Sequence, residues 1–447
     1  MTVALRYHST RGSSPVATLS EAMAAGLAPD GGLYVPEHLP RLRVADFRQG
    51  ETLAETATTL LAPFFAGDKL ANELPAICAE ALTFPTPLHA LPQHPNTSVL
   101  ELFHGPTAAF KDVGARFLAA CLRRLRGDDA RRLTILVATS GDTGAAVGAA
   151  FHRQPGINVV ILYPDSRVSP RQAHQLGCFG GNVQALRVQG RFDDCQRMVK
   201  AALNDTALQT QSPLSSANSI SLGRLLPQMS YYAHAALAWW HQYGEALNLI
   251  VPTGNLGNAL AAVWVRQMEL PIGLIHLACN ANTTLPDFFN GNDYTPRQAV
   301  ATLANAMDVG APSNFERLRW TFPDPDDLRA QLHVESVDDR TIREVIARHA
   351  GEHGEVFCPH TATAVHVLDK LRATGDDLPW AIVATAHPAK FESVVEPLIG
   401  RAVDVPTSLA AMLQRPAEAE ALDAEDDALR EWLLPRADEG SALLPTV

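Results

Sequence analysis

The sequence predicts an α/β protein with mainly parallel sheets flanked by helices in two domains, preceded by an additional N-terminal region. Three observations carry that prediction. From residue 130 onward, short β-branched runs alternate with longer amphipathic segments, the pattern of strands joined by crossover helices. The chain is 447 residues long and 47% hydrophobic, enough for two or three substantial cores. The first hundred residues read differently, Pro-rich and dense in turn formers, as in GLAPDGGLYVPEHLP.

Taken in order, LTILVAT (133 to 139) reads as a buried strand, GAAVGAAFHR as a helix and INVVILYP as a strand. VSPRQAHQL is a helix opened by Ser169 and Pro170, a capping residue followed by a proline suited to the first turn. VQALRVQG follows as a strand and FDDCQRMVKAAL as a helix with acids in its first turn. A longer helix through MSYYAHAALAWWHQ leads to LNLIVPT, GNALAAVWVRQM and IGLIHLACN, and later to WAIVATA and KFESVVEPLI. The expected segments are an N-terminal domain over 1–95, α/β domains over 96–230 and 231–405, and a C-terminal tail over 406–447 that is rich in Ala, Glu and Asp. That tail reads as helical or loosely packed.

Composition excludes several functions. Lys and Arg total 36 against 48 Asp and Glu, a net charge of -12, and the basic residues form no block, so nucleic acid is not an expected partner. No stretch approaches the roughly 18 apolar residues of a membrane span, nor does MTVALRYHSTRG resemble a signal peptide; the expectation is a cytoplasmic protein. The six cysteines are widely spaced without a C-x-x-C pair. Neither a zinc ribbon nor a disulfide framework is indicated, and no metal is expected.

In parallel sheets ligands gather where strands end and helices begin. Three such junctions share small and polar residues: VATSGDTGAA (137 to 146), VPTGNLGNAL (251 to 260) and VATAHPAKF (383 to 391). In the second, Gly254 and Gly257 allow close backbone approach, Asn255 and Asn258 add amides, and Leu256 lies between them. A helix starting near Gly257 would aim free N–H groups at a phosphate held without a cation. A Walker A loop would need Gly-Lys-Ser/Thr, and no dinucleotide fingerprint is present. TSGDTG offers Thr139, Ser140 and Thr143 hydroxyls with Gly141 and Gly144 backbone donors; it suits a carboxylate, a second phosphate, or a plain cap in which Asp142 or Thr143 satisfies the helix start. In SANSISLGR, Asn218 and Arg224 precede Pro227 near a further helix entrance, and the planar guanidinium suits a phosphate or carboxylate.

Lys111, in ELFHGPTAAFKDVGARFL, stands at the start of an apolar helix. Burial and the helix dipole both disfavour its ammonium. Its pKa should fall below the usual value of about 10.4, freeing the amine to attack an aldehyde; the plainer reading is a snorkelling lysine paired with Asp112 or Glu101. A sheltered lysine, an uncharged phosphate cradle and a further anion loop together fit pyridoxal 5'-phosphate.

The ordered motifs YHSTRG, GLAPDGGLYVPE, HGPTAAFKD, ATSGDTGAA, RFDDCQRMVK, SANSISLGRLLPQ, PTGNLGN, NAMDVGAPSNFER, CPHTA and TAHPAKF cover nearly the whole chain. In these the sequence resembles the threonine synthase family, pyridoxal-phosphate enzymes of fold type II with a tryptophan synthase β-like fold. The resemblance implies that Lys111 is the Schiff-base lysine and that Gly254, Asn255, Leu256, Gly257 and Asn258 hold the cofactor phosphate. It implies Asp142 beside the ring 3'-oxygen and Thr385 facing the ring nitrogen, which a neutral hydroxyl would leave largely unprotonated. Ser140, Gly141 and Thr143 would bind the substrate carboxylate, Asn218 and Arg224 its phosphate. The implied substrate is O-phospho-L-homoserine, converted with water to L-threonine and phosphate by γ-elimination and β-addition. The nearest alternative on the same scaffold is a phospho-lyase or dehydratase releasing 2-oxobutyrate. Whether the chain is a monomer or homo-oligomer is left open. Two positions depart from the family pattern: Ser221 stands where an Asn is usual, and Leu256 where an aromatic is usual.

Overall fold

The structure is a computed structural model, and it describes residues 4–126, 132–165, 168–211 and 213–434. In chain order its strands are β1 Tyr7–Ser9, β2 Tyr34–Pro36, β3 Leu88–Ala90, β4 Thr97–Glu101, β5 Leu133–Ala138, β6 Ile157–Pro164 and β7 Val183–Gln189. They continue with β8 Leu214–Ser216, β9 Leu247–Pro252, β10 Ile272–Cys279, β11 His333–Ser336, β12 Trp380–Ala384 and β13 Glu420–Asp423. A six-stranded sheet has the order β11-β10-β9-β12-β4-β3 and a five-stranded sheet the order β13-β7-β6-β5-β8. Within both, every pairing is parallel except β3 with β4. The central strands β9 and β12 are buried at every residue, because helices cover both faces of a parallel sheet.

The helices start where the sequence places caps. Ser169 accepts the Gln172 N–H at the head of Pro170–Gly177, and Thr18 and Thr52 form capping boxes with Glu21 and Glu55. The helix Lys111–Arg126 buries Val113, Phe117, Leu118 and Cys121 and ends on three arginines, which complement the negative end of its dipole.

The N-terminal region is not a detached unit. Tyr7 Oη donates to Phe64 O at 2.7 Å, and Leu60, Phe64 and Phe65 share one core with Tyr232 and Trp264 of the helices Gln228–Tyr243 and Gly257–Gln267. The sheets also cut across the expected segments. β4 lies in the six-stranded sheet beside β12, apart from the strands that follow it in the chain. The tail is more ordered than its composition suggested. β13 pairs with β7 as an edge strand, and Leu429 of the helix Asp426–Leu433 is buried with Cys195 and Met198. The remainder of the expected tail, from 435, lies outside the described residues. Among the described residues no helix is long and apolar enough to cross a membrane. All six cysteines are buried and unbridged.

Candidate active site

The segments that follow β4, β5, β9 and β12 converge on a cleft of about 540 Å³. Its wall includes Lys111, Ser140, Asp142, Thr143, Asn218, Arg224, Thr385 and residues 254–258, so residues scattered through the chain meet as their loop positions led one to expect. Gly141 and Gly144 are the exceptions among the candidates. The Gly141 N–H donates to Thr139 Oγ1 at 3.0 Å, and the Gly144 N–H reaches the same oxygen at 2.9 Å. Thr139 therefore caps the helix Asp142–Phe151, in place of Asp142 or Thr143, and leaves those two side chains on the cleft wall.

Lys111 is held by its own loop. The buried Asp112 carboxylate accepts the Thr107 N–H and the Thr107 hydroxyl, both at 2.8 Å. Gly105 makes this possible, since a Cβ there would lie 2.5 Å from Asp112 Oδ2. Phe110 N–H donates to Thr385 O at 2.9 Å and ties the loop to the end of β12. Glu101 is engaged by His104 at 2.7 Å, so neither acid proposed as a plain salt-bridge partner takes Lys111. Its side chain is 13% exposed and its Nζ lies 3.9 Å from Asp142 Oδ2. Burial pulls the Lys111 ammonium down to about 8, Asp142 opposing the fall and the Lys390 and Arg224 charges adding to it.

Asp142 carries the charge of this corner. Lys390 Nζ is 2.9 Å from its Oδ1, and Gln172 Nε2 donates to the same oxygen at 2.9 Å. Burial works against the carboxylate, but Lys390 and Lys111 outweigh it and hold Asp142 well below the usual carboxylate range. Lys390 is fully buried and also donates to Thr107 O at 2.8 Å, so one ammonium links Asp142 to the Lys111 loop. His360 accepts the Ala306 N–H at 3.1 Å through Nε2; burial brings it down to about 4, Asp142 opposing, and it is neutral at pH 7. Sequence reasoning gave no role to Lys390, His360 or Gln172. The signal was present for two of them, because TAHPAKF and CPHTA contain Lys390 and His360.

The loop after β9 forms an uncharged cradle. Leu256 has φ 64°, a left-handed conformation uncommon for leucine, immediately before the helix Gly257–Gln267. The first turn of that helix has N–H groups without intrahelical acceptors. Asn255 is braced on both sides: its Nδ2 donates to Ser219 Oγ at 2.6 Å and its Oδ1 accepts the Ser313 N–H at 2.5 Å. Its side chain is therefore spent inside the protein. Asn314 grips Asn255 O at 3.0 Å, and the buried Arg317 joins Asn314 Oδ1 (2.8 Å) to Tyr34 O (3.0 Å). The N-terminal region thus braces the loop. Asn258 Oδ1 accepts the Tyr231 and Tyr232 hydroxyls, the latter at 2.9 Å. Its Nδ2 is buried with no partner among the described residues. An orphaned amide donor, a free helix start and no cation in residues 254–258 fit the phosphate of pyridoxal phosphate.

Arg224 lies in the short helix Leu222–Leu225, three residues before Pro227, the residue that precedes the helix Gln228–Tyr243. Only 1% of it is exposed, and burial brings its guanidinium down to about 10. NH1 donates to Ala217 O at 2.6 Å, while Nε is buried without a partner among the described residues. The Ser221 Oγ is equally orphaned. This part of the cleft wall carries a cation, whereas residues 254–258 carry none.

Residues 80–387 match the family described as pyridoxal-phosphate dependent enzyme, residues 6–82 the threonine synthase N terminus, and residues 361–432 the threonine synthase C-terminal family. Threonine synthase of Haemophilus influenzae is 38% identical, with 93% of this chain and 96% of that protein covered. The crystal structure of threonine synthase from Escherichia coli superposes with a TM-score of 0.88 at 34% identity, covering 96% of this chain and 99% of that one. The pyridoxal-phosphate-bound threonine synthase from Brucella melitensis gives 0.86 at 34% identity with the same coverage. Matched over its N-terminal, central and C-terminal parts, the chain belongs to the threonine synthase family of pyridoxal-phosphate enzymes.

Proposed function

We propose that this chain converts O-phospho-L-homoserine and water into L-threonine and phosphate, the last step of threonine biosynthesis, with pyridoxal phosphate as cofactor and Lys111 as catalytic residue. The observation that carries the reading is one buried amine facing one cleft with two unlike anion sites, neutral at 254–258 and cationic at Arg224. Two phosphates, of cofactor and of substrate, are what such a pair would separate.

Bound pyridoxal phosphate supplies the electron sink that accepts the pair left when a proton departs from the substrate carbon. The chain's own residues do the rest. Gly254, Asn255, Leu256, Gly257 and Asn258 hold the cofactor phosphate through backbone N–H groups and the Asn258 amide. Asp142 and Thr385 would face its ring. Lys111 would hold the cofactor through its aldehyde, and its amine would take and return the proton at the substrate Cα. Burial that brings the Lys111 amine down to about 8 leaves part of it unprotonated at neutral pH. Lys390 keeps Asp142 ionised and keeps the Lys111 loop in place. Ser140 and Thr143, with the turn at Gly141, orient the substrate carboxylate. Arg224 and Asn218 hold the substrate phosphate, so charge builds on the leaving oxygen beside a guanidinium, which favours loss from the γ carbon.

The test is to incubate cofactor-loaded protein with O-phospho-L-homoserine and assay phosphate, threonine and 2-oxobutyrate together. Equal phosphate and threonine is the expected result. Phosphate with 2-oxobutyrate and no threonine would make the chain a lyase.

A further inference from the structure

A second group of ligand-type side chains lies away from the cleft. His94 sits in the turn between β3 and β4, ahead of the amino end of β4, whereas the cleft lies at the carboxyl ends. His349 and His353 are one helical turn apart at the end of the helix Asp339–Glu352, His353 being its cap. One ring nitrogen from each of the three comes within 4.8 Å of the others. The ring centroids of His94 and His353 are 4.6 Å apart, those of His94 and His349 5.4 Å. A carboxylate joins two of them: Glu355 Oε2 is 3.3 Å from His94 Nε2 and 3.2 Å from His349 Nδ1. His94 Nε2 is buried with no hydrogen bond among the described residues.

We propose that His94, His349, His353 and Glu355 form a structural site for a divalent transition metal of the zinc type. Three imidazoles and one carboxylate are borderline N and O donors in the number a tetrahedral zinc site uses. The spacing of four residues brings two imidazoles to one face of a helix. Behind the group, His349 Nε2 lies 3.3 Å from Asp369 Oδ2, and Arg348 holds the same oxygen. A carboxylate behind a ligating histidine holds the proton on Nε2, and a metal at Nδ1 would displace the proton that Glu355 Oε2 accepts there at 3.2 Å. Metal–nitrogen bonds of about 2.0–2.1 Å require the donors to draw closer than they stand. His94 and His353 are 17% and 23% accessible, and His353 Nε2, 3.8 Å from Glu352 Oε2, would have to exchange that carboxylate for the metal.

Four donors close the coordination sphere, so the role is structural rather than catalytic. The metal would clamp the His94 turn to the helix Asp339–Glu352 and to the connection through Glu355. That connection runs to Cys358, which caps the helix Pro359–Ala373 that carries His360 into the cleft. The sequence hid this site because its histidines form no short motif, one of them coming from a distant turn.

The test uses holoenzyme treated with a chelator, dialysed and titrated with CoCl2. One Co(II) per chain is expected, with the intense visible bands of a tetrahedral site, displaced by ZnCl2, and with a higher unfolding midpoint. His353→Ala and Glu355→Gln should each weaken Co(II) binding at least tenfold while threonine formation continues. Failure of the wild-type holoenzyme to take up stoichiometric Co(II), or uptake that both variants retain, would overturn the proposal. Because metal content is read separately from turnover, it stands or falls independently of the reaction proposed above.

Discussion

Replacing Arg224 with alanine should separate the two anion sites. The guanidinium is fully desolvated, commits NH1 to Ala217 O and keeps Nε without a partner. It is therefore placed to give one or two charge-assisted hydrogen bonds to a substrate phosphate. Such bonds are worth about 1.5–3 kcal/mol each, so two at the low end amount to about 3 kcal/mol, roughly 150-fold in kcat/KM. The cofactor cradle at 254–258 has no hydrogen bond to Arg224 among the described residues. Cofactor absorbance should therefore persist. Arg224→Lys keeps the charge but not the planar fork and should recover only part of the loss. The assay is steady-state phosphate release at varied O-phospho-L-homoserine, with an absorbance spectrum of each variant. An Arg224→Ala enzyme that loses its cofactor, or one with kcat/KM within threefold of the parent, would refute this division of the sites.

Lys111→Ala should abolish turnover and the absorbance of lysine-bound cofactor, as judged by spectrum and product assay. The Lys111 amine is lowered to about 8, so the rate at which apoprotein captures pyridoxal phosphate should rise with pH through about 8; a profile still climbing past 10 would contradict the burial argument. Lys390→Met removes the nearer of the two ammonium groups facing the buried Asp142 and should lower the unfolding free energy in urea by up to about 3–5 kcal/mol, with Asp142→Asn in the same background restoring part of it. Because the folded Asp142 carboxyl lies below its unfolded value, the Lys390 contribution is full above the unfolded pKa of about 3.9 and is lost as pH falls through the folded one. The difference between parent and Lys390→Met should accordingly hold at pH 7 and shrink in acid.

The strands with continuous apolar runs, such as LTILVA, INVVILYP and LNLIVP, were legible because burial on both faces removes polar alternation. The loops that end them could be read for the same reason: small and polar residues break the run where ligands bind. Pairing was not legible. Nothing in TSVLE places β4 beside β12, and EALD, exposed save at Leu422, carries too little apolar signal to announce an edge strand. The Schiff-base candidate could be argued from Lys111 together with the loops at 139–144 and 254–258, because each of these stretches shows its anion-binding or sheltered character locally. The roles of Lys390 and Arg317 could not, because each depends on backbone carbonyls far away in sequence, Thr107 O and Tyr34 O. The grouping of His94 with His349 and His353 was out of reach for the same reason, with His94 remote from the other two in sequence.

The most direct test of the central claim is to run the reaction in water labelled with oxygen-18 and analyse both products by mass spectrometry. Elimination breaks the carbon–oxygen bond and water then adds to carbon, so threonine should carry one labelled oxygen in its hydroxyl while the phosphate carries none. Label in the phosphate, with homoserine as the amino-acid product, would mean simple phosphate-ester hydrolysis and would contradict the assignment of this cleft.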